Sequence, residues 1–153
     1  MTSISSEVVR RELYIECRPE ILFAFFTDSD KLVRWMGRQV LLDPSIGGKF
    51  RIDLNGSDVA LGEYKELIPH EKVVLSWGWE KSKLVPPGSS TLEFLLAPKD
   101  GGTVLTLTHY DLPTAEEVAS HNHGWTQYMD RLKLTAQGED PGADVGACEI
   151  AAD

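Results

Sequence analysis

TAEEVASHNHGWTQYMDRLKLTAQ, residues 114–137, reads as one long helix with both ends marked. Thr114 with Glu117 three residues on forms a capping box, and Gly138 follows as a stop. Between them Ala115, Val118, Asn122, Trp125, Met129, Leu132 and Ala136 recur at spacings of three and four, which places them on one helical stripe. Glu116, Gln127, Asp130 and Lys133 point elsewhere. Acidic residues near the start and Arg131 and Lys133 near the end complement the helix dipole. The stripe carries a large indole and an amide, with His121 on its flank. Such a helix either fills a core or lids a cavity.

Upstream, the helix has a sheet to cover. Residues 8–17, VVRRELYIEC, alternate, with Val9, Leu13, Ile15 and Cys17 on one side, as a half-buried strand does. Pro19 then opens a short apolar helix, PEILFAFF, at the position where its missing N–H costs nothing. A second short helix, DSDKLVRWM, starts from the Asp28/Ser29 cap signal and stops at Gly37. From Gln39 to Tyr110 one strand follows another: QVLLD, KFRIDL, ALGEYKELI, VVLSWGW, TLEFLLA and TVLTLTHY. Turns at Pro44–Gly48, Asn55-Gly56, Pro69–Lys72 and Asp100–Gly102 join most of them, so the expected sheet is an antiparallel meander. By alternation Tyr64 and Glu66 share one side of their strand. One face of the sheet is apolar, and the helix at 114–137 is the only long element able to cover it.

The expected organisation is one domain over 1–137 and an acidic, aperiodic, disordered tail over 138–153, GEDPGADVGACEIAAD. A formal net charge of −9 opposes contact with nucleic acid or an anionic membrane. No apolar run approaches the roughly 20 residues that span a bilayer, and MTSISSEVVRREL has no secretory-signal pattern. Two cysteines, Cys17 and Cys148, are too few for a disulfide framework, so a cytoplasmic protein is expected.

The order strand, two short helices, about six or seven antiparallel strands and a long C-terminal helix is an α+β helix-grip plan. Local wording narrows it: Thr27-Asp28 through Trp35, Gly47-Gly48-Lys49-Phe50-Arg51, Gly62, Tyr64 and Glu66, Pro69, Trp77-Gly78-Trp79, Leu105–His109, and His121-x-x-Gly124-Trp125. In these residues the chain resembles the START-like (SRPBCC) superfamily, in the branch named after the activator of the heat-shock-protein-90 ATPase. The resemblance implies a curved sheet gripping the long helix, with a cavity between them that in many relatives receives an apolar ligand. Met36 stands where many relatives have a second tryptophan, which bears on cavity shape. Arg18 stands before Pro19 where a capping Ser or Ala is commoner, which bears on the helix start.

Under that resemblance the candidate ligand-binding residues are Trp35, Phe50, Trp77, Trp79, Phe94, His109, His121, Trp125, Tyr128 and Met129. The aromatics supply contact area and the two histidines orient the ligand. The bland alternative is a filled core in which each histidine is satisfied by a hydrogen bond, to Tyr128, Asn122 or a backbone carbonyl. His121-Asn-His123 is no metal motif, because residues two apart on a helix point about 200° apart. No nucleophile elbow, phosphate loop or Cys-x-x-Cys is present, and neither catalytic residues, a cofactor nor a metal is expected. Three functions follow: binding of a small hydrophobic molecule, a co-chaperone-like protein-interaction module, and cyclase- or hydrolase-like catalysis through a pocket histidine.

Overall fold

The computed structural model describes residues 8–142. Seven strands form one curved antiparallel sheet: β1 (Val9–Ile15), β2 (Gln39–Leu42), β3 (Lys49–Asp53), β4 (Val59–Ile68), β5 (Lys72–Trp79), β6 (Ser90–Lys99) and β7 (Gly102–Tyr110). Their spatial order is β1-β7-β6-β5-β4-β3-β2, so every neighbour except the β1–β7 pair is consecutive in sequence. This is the expected meander, closed on one side by the first strand.

The single apolar helix expected at PEILFAFF is instead two four-residue turns, α1 (Pro19–Leu22) and α2 (Ala24–Thr27), hinged at Phe23. Arg18 offers α1 no side-chain cap. Asp28 does cap α3 (Ser29–Leu32), accepting from the Asp30 N–H at 2.9 Å. Turns this short leave most of their carbonyls without helical partners. Two buried aromatics supply them: Tyr64 Oη donates to Phe26 O at 2.7 Å, and Trp35 Nε1 to Phe25 O at 3.0 Å.

Tyr64 reaches that carbonyl because β4 bulges between Tyr64 and Glu66, where pairing passes from Tyr64↔Leu75 to Glu66↔Val74. The extra residue turns the two side chains to opposite faces, correcting the alternation read from the sequence. Tyr64 is buried, while Glu66 pairs with Lys72 at 3.1 Å on the outer side.

Helix α4 (Ala115–Ala136) lies across the concave face with its start capped as expected, Thr114 Oγ1 accepting from the Glu117 N–H at 3.1 Å. Its buried stripe is His121, Trp125, Tyr128, Met129 and Leu132. The helix is therefore rotated relative to the stripe expected through Asn122, bringing His121 inward. Bonds to β1 and the residue after it accompany that rotation: Arg11 donates to Asn122 Oδ1 at 3.4 Å, and Gln137 Oε1 accepts from the Glu16 N–H at 2.8 Å. Beyond the helix Arg131 donates to the Pro141 and Gly142 carbonyls. Most of the expected disordered tail, 143–153, including Cys148, lies outside the described residues. Among the described residues no helix is long and apolar enough to cross a membrane.

Candidate functional site

Strand β5 sets the site. Alternation puts Trp77 and Trp79 on its concave side and Gly78 on the other, where a Cβ would run into the Pro86 carbonyl. The 80–89 loop can thus fold flat against the strand, held by Trp79 N–H to Val85 O at 2.8 Å. On β3, Phe50 faces Gly62 of β4. A Cβ there would approach Phe50 Cε2 to 2.7 Å, so the missing side chain lets the ring lean toward Trp77, 5.6 Å away between centroids. Trp77 meets Trp79 at 5.5 Å and 90°, and Trp125 of α4 at 5.3 Å and 56°.

Two histidines thread through these rings. Trp125 Nε1 donates to His109 Nδ1 at 3.0 Å. An indole nitrogen only donates, so Nδ1 accepts and the proton of neutral His109 sits on Nε2. From there it reaches Ser90 Oγ at 2.8 Å, and Ser90 donates onward to the Trp77 carbonyl at 2.7 Å. Likewise Trp79 Nε1 donates to His121 Nε2 at 2.9 Å, which puts the His121 proton on Nδ1, bonded to Glu117 O at 2.8 Å. The imidazoles meet edge-to-face at 5.1 Å.

Both rings are held neutral. Burial holds His109 well below the usual histidine range, and the nearby His121 adds to it. Burial also lowers His121, opposed by its bond to the Glu117 carbonyl and by the Glu117 charge. Glu117 Oε1, 3.7 Å from His121 Nδ1, therefore faces an uncharged ring. Neither histidine has an uncommitted lone pair with which to take a proton from a substrate. The Ser90–His109 contact runs opposite to a nucleophilic pair, since the imidazole donates to the hydroxyl. His123 is exposed on another side of α4 from His121, and among the described residues no metal-holding group of three side chains occurs.

Beside this network lies a cavity of about 380 Å³ between β5 and the first half of α4. Of the candidate residues, Trp77, Trp79, His121, Trp125 and Tyr128 line it. Trp35, Phe50 and Phe94 do not line it but border a void of about 20 Å³ deeper in the core, which Trp77 and Trp125 separate from the larger space, and Phe50 also borders a surface hollow beside β3 and β4. His109 and Met129 are buried and line neither, His109 standing behind the wall as the acceptor that orients Trp125. Met36 borders both spaces, so the departure noted there does fall on the cavity. The hydrogen-bond partners of the histidines are two indoles, Ser90 and the Glu117 carbonyl. Tyr128 and Asn122, named from the sequence, are not among these bonds.

Sequence reading missed the rim. Asp58 comes from the β3–β4 turn, Lys81 and Ser82 from the loop after β5, and Glu117 and Ser120 from the start of α4. The turn is shaped by Asn55 Oδ1 accepting from Ser57 N and Asp58 N at 3.0 and 2.8 Å, with Gly56 at φ 92°. Among the described residues two buried side-chain polar atoms have no hydrogen-bond partner, Trp77 Nε1 and Thr135 Oγ1.

Known proteins share the family and the fold. The family model described as activator of Hsp90 ATPase homolog 1-like protein matches residues 16–137. The human activator of 90 kDa heat shock protein ATPase homolog 1 is 30% identical over 120 residues, 76% of this chain and 33% of the human protein. The chain thus spans one third of the length of that relative. An AHSA1-like protein from Rhizobium etli is 43% identical, with a TM-score of 0.72 over 90% of this chain and 86% of that one. An HSP90 activator from Plasmodium falciparum is 25% identical, with a TM-score of 0.71 over 84% of this chain and 94% of that one.

Proposed function

The chain belongs to the activator of Hsp90 ATPase homolog 1-like family, and on that premise we propose that it binds a small hydrophobic or aromatic molecule in the cavity between β5 and α4. One observation carries the reading: about 380 Å³ of space is walled by Trp77, Trp79, Trp125 and Tyr128 beside an otherwise closely packed core. That volume lies within the range of small-molecule sites, and large rigid rings give contact area at little cost in side-chain entropy. The Trp79–His121 and Trp125–His109 bonds hold two of the rings in place before any ligand arrives.

Catalysis through a pocket histidine is the weaker reading, because both imidazoles are neutral and fully bonded. No cofactor or metal enters the proposal. Neither nucleic acid nor membrane suits an acidic chain, and a cytoplasmic location fits its sparse cysteines. Amide NMR titration with a panel of flat aromatic and lipid-like molecules tests the reading. Saturable shifts at Trp77, Trp79 and Trp125 are expected, and none across the panel would sink it.

The relatives favour a second reading, since both the human protein and the Plasmodium falciparum structure are named as activators of the 90 kDa chaperone. A chaperone would then be the partner of this domain. ATP turnover of that chaperone, measured with and without the chain, decides: an unchanged rate removes the proposal.

A further inference from the structure

Resting on the cavity reading above, we infer that the cavity selects a cationic ligand, an aromatic or branched alkyl ammonium, over an anionic or uncharged one of the same shape. The walls come first. Trp77, Trp79 and Trp125 all line the space and meet at 90° and 56°, forming corners rather than a stack. Ring faces carry the negative lobe of the aromatic quadrupole, and an ammonium near several of them is attracted without losing contact area.

The charges around those walls point the same way. Two half-buried carboxylates line the cavity, Asp58 from the β3–β4 turn and Glu117 from the first turn of α4. Lys81, its one lysine, is exposed. His121 does not offset Glu117, because Trp79 occupies its Nε2 and the Glu117 carbonyl takes its Nδ1 proton. An anion entering here meets two carboxylates and no buried charged donor. A cation meets carboxylates and aromatic rings.

The test uses the full chain and three probes of similar size: benzyltrimethylammonium, its uncharged carbon isostere neopentylbenzene, and benzoate. Binding is read by tryptophan fluorescence and by amide shifts at Trp77, Trp79 and Trp125. The ammonium is expected to bind at least about threefold more tightly than neopentylbenzene, and benzoate most weakly. Asp58→Asn and Glu117→Gln should each weaken the ammonium severalfold and leave neopentylbenzene unchanged. Equal or tighter binding of neopentylbenzene overturns the charge preference and leaves the cavity reading standing. Ammonium affinity unmoved by both substitutions also overturns it. No saturable binding of any probe overturns both.

Discussion

Trp125 Nε1 points at His109 Nδ1 across 3.0 Å, and this bond decides where the His109 proton resides. The direction propagates: His109 donates to Ser90 and Ser90 to the Trp77 carbonyl, so a helix residue sets the polarity of a chain that ends in the sheet. The Trp79–His121 pair does the same in mirror fashion, and the two histidines carry their protons on different ring nitrogens.

That difference is directly measurable. Long-range proton–nitrogen correlation spectra near pH 7.5 are expected to show His109 protonated on Nε2 and His121 on Nδ1. A spectrum with both histidines in one tautomer would reverse one of the two chains and with it the roles assigned to the indoles.

The same neutrality makes stability depend on acid. Both folded-state pKa values lie below the ordinary 6.5, so below that pH the unfolded chain binds protons that the folded chain refuses. Stability contributed by the histidines is whole above about pH 6.5 and is lost as pH falls toward the folded-state values. The slope is up to about 1.4 kcal/mol per pH unit for each histidine. Urea unfolding at pH 7.5, 6.5 and 5.5 reads it, and His121→Gln should flatten the slope. A flat profile over that interval would show that the rings charge freely in the folded protein.

Ser90 has no substitute in its place. Ser90→Ala removes the acceptor for the His109 proton and the donor to the Trp77 carbonyl, at a residue 1% exposed. Stranding buried polar groups costs about 1–3 kcal/mol each. The urea midpoint should fall with an unchanged m value. An unshifted midpoint would mean the network contributes nothing to the fold.

Gly78→Ala tests the loop that backs the tryptophan strand. Its Cβ meets the backbone of Pro86 and Pro87, which no side-chain rotation relieves. A loss of about 1–3 kcal/mol is expected, as for overpacked sites. Amide shifts should be largest over residues 80–89. Wild-type stability would show that the loop lifts away at no cost.

Much of the fold was legible because its signals are local. The Thr114/Glu117 cap, the Asp28 cap, Pro19 at a helix start and the alternation of Val9, Leu13 and Ile15 each speak for their own element. The β4 bulge left no such trace, since one extra residue in a strand changes the face of Glu66 without changing composition. The rotation of α4 was equally hidden: Asn122 and His121 fit a helical stripe almost equally well, and the bonds that accompany the outcome come from Arg11 and Glu16, remote in sequence. The aromatic wall was legible as residue type. The rim was not, because Asp58, Lys81 and Glu117 look like ordinary solvated residues until three remote segments bring them to one opening.

The placement of β1 has a consequence for how the molecule comes together. Val9 pairs with His109 and Ile15 with Thr103, whereas every other strand pairs with a sequence neighbour. The meander from β2 to β7 can therefore zip by short loop closures, while β1 must close a loop nearly as long as the sheet itself. Helix α4 and its C-cap are tied to β1 and the residue after it, through Arg11 and Glu16. The strand and the helix thus hold the two ends of the domain together through the contacts of longest sequence separation. The aromatic cavity, walled by α4 on one side, therefore depends on contacts between the first and last elements of the domain.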